Sequence, residues 1–207
     1  MLLASFAPFS LKAEIIDRVA VSVERKVITE SELLRQIRIT AFLNGERPDF
    51  SAATKRSVAD RLVEQTLIRR EIETTGYVVP QNTSGSFEQF RRGRFKTDEE
   101  YSRALAEAGI TDEELKEAFA WQNTLLEFIN VRFRPGIQLR DTEVRDYYDQ
   151  RFLPEAKTKG QPPPAFEEAR DAVEETLLSE RVDNALDRWL GQVRTQTRIR
   201  YREDVLR

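Results

Sequence analysis

The chain has 207 residues and a formal net charge of −3, with 40% hydrophobic and 33% charged residues. It contains neither histidine nor cysteine, which excludes thiol nucleophiles, Ser-His-Asp triads and zinc sites built on those side chains. The composition does not exclude a catalytic or metal site built only from carboxylates. The small net charge gives no overall attraction to nucleic acid or anionic lipid. We therefore expect a folded protein without cofactor, metal or nucleic-acid partner, in which catalysis is disfavoured.

The first thirteen residues, MLLASFAPFSLKA, are mostly apolar, and this composition ends abruptly at Glu14. They resemble the hydrophobic part of a secretory signal, with the small Ala13 at a cleavable position. The alternative is an N-terminal arm that packs on the domain. No run of 18 apolar residues occurs along the chain, so we expect no membrane-spanning helix.

The next segment predicts a hairpin followed by a helix. Valines at positions 19, 21 and 23 alternate with other residues at the period of a strand, and a tight turn leads to a second short strand. Thr29 and Glu32 then have the spacing of a capping box, which predicts that a helix begins there and continues to Asn44.

Six further helices are predicted from apolar stripes, capping boxes at Thr97 and Thr111, and glycine or proline stops. They cover residues 51–76, 87–93, 97–109, 111–134, 141–152 and 166–193. Residues 81–86 are expected to form a polar loop. Residues 153–165, which contain four prolines, are expected to form a linker.

The chain closes with a second strand signal, because Ile199 and Tyr201 alternate with three arginines. Short strands are not stable alone, so the C-terminal strand is expected to pair with the N-terminal hairpin. The fold class that follows is mainly α, with a small antiparallel sheet made from both chain ends. Residues 14–152 form the helical part of one domain, and residues 166–207 complete it.

Four segments in chain order resemble the SurA-type periplasmic chaperones, and the resemblance covers about residues 14–202. They are IIDRVAVSVERKVITESEL, RLVEQTLIRREIETTGYVV, FKTDEEYSRALAEAGITDEELKEAF and FEEARDAVEETLLSERVDNALDRWLGQVRTQTRIRY. The resemblance implies a helical chaperone core that binds unfolded secreted or outer-membrane polypeptides in the periplasm.

The chain departs from that family in one respect. Family members usually carry one or two parvulin-type prolyl isomerase domains before the C-terminal helix. Residues 153–165 are too few for a domain, and parvulin sites need histidines that this chain lacks. No phosphate-binding glycine motif occurs either. The expectation is an ATP-independent holdase without isomerase activity. One alternative is a non-catalytic interaction protein with the same fold. The other is a protein classed with the prolyl isomerases by family membership but without isomerase activity.

The candidate client-binding residues are Phe87, Phe90, Phe95 and Tyr101, which lie in and around the short helix at 87–93. They either line a groove for apolar segments of extended chain or fix this helix to the core. No catalytic, cofactor-binding or metal-binding residue is predicted. We expect a monomer. A domain-swapped dimer is the alternative, in which the long C-terminal helix completes the sheet of a second protomer.

Overall fold

The computed structural model describes residues 17–77 and 84–207, apart from 159, 161 and 163. The predicted signal or arm at residues 1–13 lies outside the described residues. The elements in chain order are β1 (Val19–Val23), β2 (Lys26–Thr29), α1 (Glu30–Asn44), α2 (Ala52–Thr75), α3 (Ser84–Arg94), α4 (Asp98–Ala108), α5 (Asp112–Arg132), a 3-10 turn (Arg134–Gly136), α6 (Asp141–Tyr147), a π-helical segment (Tyr148–Phe152), α7 (Leu153–Thr158), α8 (Phe166–Gln196), β3 (Ile199–Tyr201) and α9 (Glu203–Leu206).

The three strands form one antiparallel sheet in the order β2-β1-β3. The C-terminal strand pairs with the N-terminal hairpin of the same chain, with Val21 opposite Tyr201 and Val23 opposite Ile199. The predicted fold class, mainly α with a small sheet closed by both chain ends, is confirmed.

Threonine caps begin three of the helices as predicted. The side chains of Thr29, Thr97 and Thr111 each accept a hydrogen bond from the backbone N–H three residues later. In α5 the box is reciprocal, because the Glu114 carboxylate accepts the Thr111 N–H at 2.9 Å. Local hydrogen bonding therefore sets these boundaries, which explains why a short sequence pattern predicts them well.

Two of the predicted irregular segments are partly helical. The prediction of a loop at 81–86 is wrong for residues 84–86, which form the first turn of α3. Residues 81–83 lie outside the described residues. Serine and glycine are poor helix formers, but tertiary contacts hold this turn. The Asn123 amide donates to the Ser86 hydroxyl at 3.2 Å, and Phe87 is buried.

The linker expected at 153–165 is also shorter than predicted, since Leu153–Thr158 is helical. A π-helical segment precedes it, and the Leu153 N–H bonds to the carbonyl of Tyr148, five residues back. The α-helix therefore restarts at Leu153, and Pro154 lies in the first turn of α7, where a proline is tolerated. The predicted helix over 141–152 thus continues past its expected end.

Four hydrophobic clusters follow one another through the molecule. The first lies under the sheet, the second joins α1, α3, α4 and α5, the third joins α2, α5 and α8, and the fourth joins α6 to α8. Helix α8 is about 46 Å long at 1.5 Å per residue and contributes buried side chains to the last two, among them Val173 and Val182. These buried residues pack α8 along one face against the other helices of the chain.

Candidate functional site

The four predicted client-binding aromatics meet in the second cluster, which we call the aromatic core. Phe87 and Tyr101 are only 4% and 3% exposed, whereas Phe90 and Phe95 are partly exposed. Ring centroids lie 6.3 Å apart for Phe90 and Phe95, and 5.3 Å apart for Phe95 and Tyr101. Phe87 and Tyr101 therefore fix α3 and α4 to the core. Phe90 and Phe95 keep partly exposed rings, and Phe95 is the one of the four that lines an open groove. The client-binding role itself stays a prediction.

Polar contacts hold α4 and α5 together beside these rings. The Tyr101 hydroxyl donates to Asp112 Oδ1 at 2.6 Å. Burial raises the pKa of Tyr101, and the bond to Asp112 raises it further. Burial alone raises the pKa of Asp112, but hydrogen bonds from Lys116 and Tyr101 outweigh it and lower that pKa. The phenol therefore stays protonated and the carboxyl ionised at neutral pH, which keeps this bond charge-assisted.

A groove opens along one side of the aromatic core, with a volume of about 460 Å³. It lies between the end of α1, the loop after α1, the end of α3 and one face of α4; we call it the aromatic groove. The apolar residues that line it are Ala41, Phe42, Pro48, Phe95, Ala104 and Ala108. The rings of Phe42 and Phe95 stack with centroids 6.0 Å apart and planes 12° apart.

Phe42 is an aromatic residue of this site that the sequence did not single out. It is buried, contacts Phe90 and Phe95, and forms part of the groove floor. The available signal was the apolar run at 41–43 just before the helix-ending Gly45. Three consecutive apolar residues point to different sides of a helix, whereas a single apolar stripe needs only one of them. The run therefore indicates that the end of α1 is covered on more than one side.

Arg94 attaches α3 to the end of α1 and forms one wall of the groove. Its Nη1 donates to the Leu43 carbonyl at 2.8 Å, and its guanidinium carbon lies 5.6 Å from the ring centroids of Phe42 and Phe90. Gly45 has φ +74°, and a Cβ at that position would lie 2.8 Å from Arg94 Nη2. The left-handed backbone favours glycine here, and an added Cβ would require the guanidinium of Arg94 to shift.

The rim of the groove carries more arginine than carboxylate. Arg38, Arg47 and Arg94 line it together with Glu46 and Glu107. In the described part of the chain, no carboxylate lies within ion-pair distance of these three arginines. The arrangement combines an apolar floor with a rim that carries three arginines and two glutamates.

A second open crevice lies where α2 faces α5. The Arg69 guanidinium carbon lies 3.6 Å from the centroid of the Trp121 ring, and burial lowers the pKa of Arg69. Glu32, Glu73 and Glu117 lie around this arginine. None of the predicted site residues lies here, so the aromatic groove remains the candidate site.

Among the described residues, no group of three or more acidic side chains is placed to hold a metal ion. None of the helices in that part of the chain is both long and apolar enough to cross a lipid bilayer. No protein-family model matches the chain, and no curated protein matches it. The resemblance to the SurA-type chaperones therefore rests on the residues quoted above.

Proposed function

We propose that the protein is an ATP-independent holdase of the bacterial periplasm. It binds apolar segments of unfolded secreted or outer-membrane polypeptides in the aromatic groove and keeps them from aggregating. The observation that carries the proposal is the open groove beside the aromatic core, in which the partly exposed ring of Phe95 stacks on the buried ring of Phe42. The resemblance to the SurA-type chaperones and the absence of cysteine fit an oxidising compartment.

The size of the groove suits transient binding. Burial of one apolar side chain contributes about 1.5–3 kcal/mol, and fixing an extended segment costs conformational entropy of comparable size. A groove that takes one or two side chains therefore holds each segment weakly. A client bound in this way dissociates without an energy source, as a holdase requires.

In this proposal the protein acts as a monomer, and the pairing of β3 with β1 within one chain is compatible with that state. It has no isomerase activity, because residues 153–165 leave no room for a parvulin domain and the chain lacks histidine. We expect no acceleration of cis-trans exchange in a proline-containing tetrapeptide, measured by protease-coupled absorbance. Acceleration that persists through a second purification would contradict this part of the proposal.

The test is light scattering from an aggregating client, with two matched variants of helix α4. Ala104 is partly buried and lines the groove, whereas Ala106 is exposed on the same helix outside it. Ala104→Gln places a polar side chain on the groove floor, and Ala106→Gln makes the same change on the surface. We expect wild type and Ala106→Gln to suppress scattering, and Ala104→Gln to suppress it several-fold less.

Thermal melts of both variants accompany the assay, so that a loss of fold is not counted as a loss of binding. If the wild-type chain leaves the scattering unchanged, the holdase proposal is wrong, and the alternative of a non-catalytic interaction protein takes its place. If both variants suppress scattering equally, clients bind somewhere other than the aromatic groove.

A further inference from the structure

The arginines on the rim of the aromatic groove differ from most arginines of this chain. Many others are paired, such as Arg134 with Glu175 at 2.6 Å and Arg170 with Asp141 at 2.6 Å. Arg38 and Arg47 neither pair with nor donate a hydrogen bond to any other described residue, and Arg94 donates only to the Leu43 carbonyl. Three guanidinium groups thus keep nearly all their N–H donors available at one opening.

Two of these guanidinium groups stand directly beside apolar surface. Arg38 lies 5.7 Å from the ring centroid of Phe50, which is 40% exposed, and Arg94 lies beside Phe42. A cation on the edge of an apolar floor is less hydrated than one in open water, so its attraction to an anion is stronger. The rim carries three arginines against Glu46 and Glu107, in a chain whose net charge is −3.

We propose that the aromatic groove selects client segments in which an apolar side chain is followed closely by a carboxylate. This inference rests on the proposed function and names the class of client segment that the groove prefers. In an extended segment, side chains two residues apart point the same way, about 6.6 Å apart. An apolar residue on the floor therefore directs an aspartate or glutamate two positions away toward the rim, where a guanidinium binds it with two hydrogen bonds.

The test uses three fluorescein-labelled peptides in a Gly-Ser background, each with one phenylalanine. They carry aspartate, serine or lysine two residues after it, and binding to the full chain is measured by fluorescence anisotropy. We expect the aspartate peptide to bind about five- to tenfold more tightly than the lysine peptide at low salt, as two partly exposed charge contacts would give. The difference should shrink as salt is added.

The double variant Arg38→Gln and Arg47→Gln keeps Arg94 as the remaining arginine of the rim, so its preference for the aspartate peptide over the lysine peptide should fall by about threefold or more. Arg61→Gln is the matched control, because Arg61 is exposed on α2, lies away from the groove and has no ion pair among the described residues. It should keep the preference for aspartate.

The outcomes separate this inference from the proposed function. Equal binding of the three peptides to the wild-type chain overturns the carboxylate preference but leaves the holdase proposal standing. A preference for aspartate that is unchanged in the double variant overturns the assignment of carboxylate binding to the rim arginines. Absence of binding by every peptide, in a chain that still suppresses client aggregation, overturns the groove as the recognition site.

Discussion

Gly45 is the residue on which the shape of the aromatic groove depends most closely. We expect Gly45→Ala to lower the free energy of unfolding by more than the 1–2 kcal/mol or so that a left-handed alanine costs, because the new Cβ also displaces Arg94. Gly76→Ala is the control, since Gly76 has φ +66° and, among the described residues beyond its own helix and chain neighbours, no atom lies within 4 Å of the position of the added methyl group. Urea unfolding of both variants gives the comparison. Equal losses would show that the Arg94 contact contributes nothing.

Asp60 joins α2 to the C-terminal strand through a small polar network. It accepts hydrogen bonds from the Tyr201 hydroxyl at 2.5 Å and from Arg194 Nη2 at 3.0 Å. Burial alone raises the pKa of Asp60, but these hydrogen bonds and the charges of Arg194 and Arg56 lower it below 3.8. The network therefore favours the ionised carboxylate in the folded state.

This direction sets the pH dependence of stability. A carboxyl whose pKa is lower in the folded state contributes stability above its unfolded pKa, and this contribution is lost as the pH falls through the folded pKa. We expect wild type to exceed Asp60→Asn in free energy of unfolding at neutral pH, and the excess to shrink below pH 3.8. Asp183→Asn, on the exposed face of α8, is the control. An excess that stays constant into acid would contradict the assignment.

At the scale of elements, the short helix α9 was not expected from the sequence. Val205 and Leu206 are each 3% exposed and belong to the cluster under the sheet. The Lys55 ammonium donates to the backbone carbonyl of Arg207 at 2.7 Å, which holds the chain end against α2. The chain therefore closes its core with α9 as well as with β3.

The contribution of α9 can be measured with one substitution at two positions. Leu206→Ala should lower the free energy of unfolding by about 2–5 kcal/mol, the usual cost of truncating a buried leucine. Leu126→Ala should change it by less than about 0.5 kcal/mol, because Leu126 is 53% exposed on α5. Similar effects at the two positions, in chemical denaturation, would mean that α9 does not pack as described.

The sequence predicted those elements whose signals are local. Thr29, Thr97 and Thr111 mark helix starts because a side chain caps its own helix within three residues. It predicted the sheet because apolar and polar residues alternate in segments near both chain ends. Short strands are unstable alone, and each had no other strand to pair with. It did not predict that the helix would continue past Pro154, since a π-helical segment, which has no simple sequence pattern, precedes that proline.

The candidate site was predicted only in part, because it depends on contacts between helices that are distant in the chain. Four aromatics close together in sequence could be singled out, but their exposure depends on neighbours from other helices. Phe42 covers one side of Phe95, and Phe119 lies 5.3 Å from Phe90. The arginines on the rim become notable only when the carboxylates near them are known, and those come from segments distant in the chain.

In the whole molecule, the proposed binding of unfolded clients in the aromatic groove can be tested directly with introduced cysteines. The chain has no cysteine, so one introduced thiol is the only reactive one. Ala108→Cys places it in the groove, and Ala106→Cys places it on the exposed face of the same helix. A client peptide that carries one activated cysteine then forms a mixed disulfide at a rate that reports local occupancy.

Accessibility alone would favour reaction at position 106, because Ala106 is exposed and Ala108 is only partly so. The measurement is the rate of disulfide formation with the client peptide, divided by the rate with a small uncharged disulfide reagent, for each variant. If clients bind in the groove, the ratio should be several-fold higher at position 108 than at position 106. Equal ratios, or a higher one at position 106, would contradict binding in the groove.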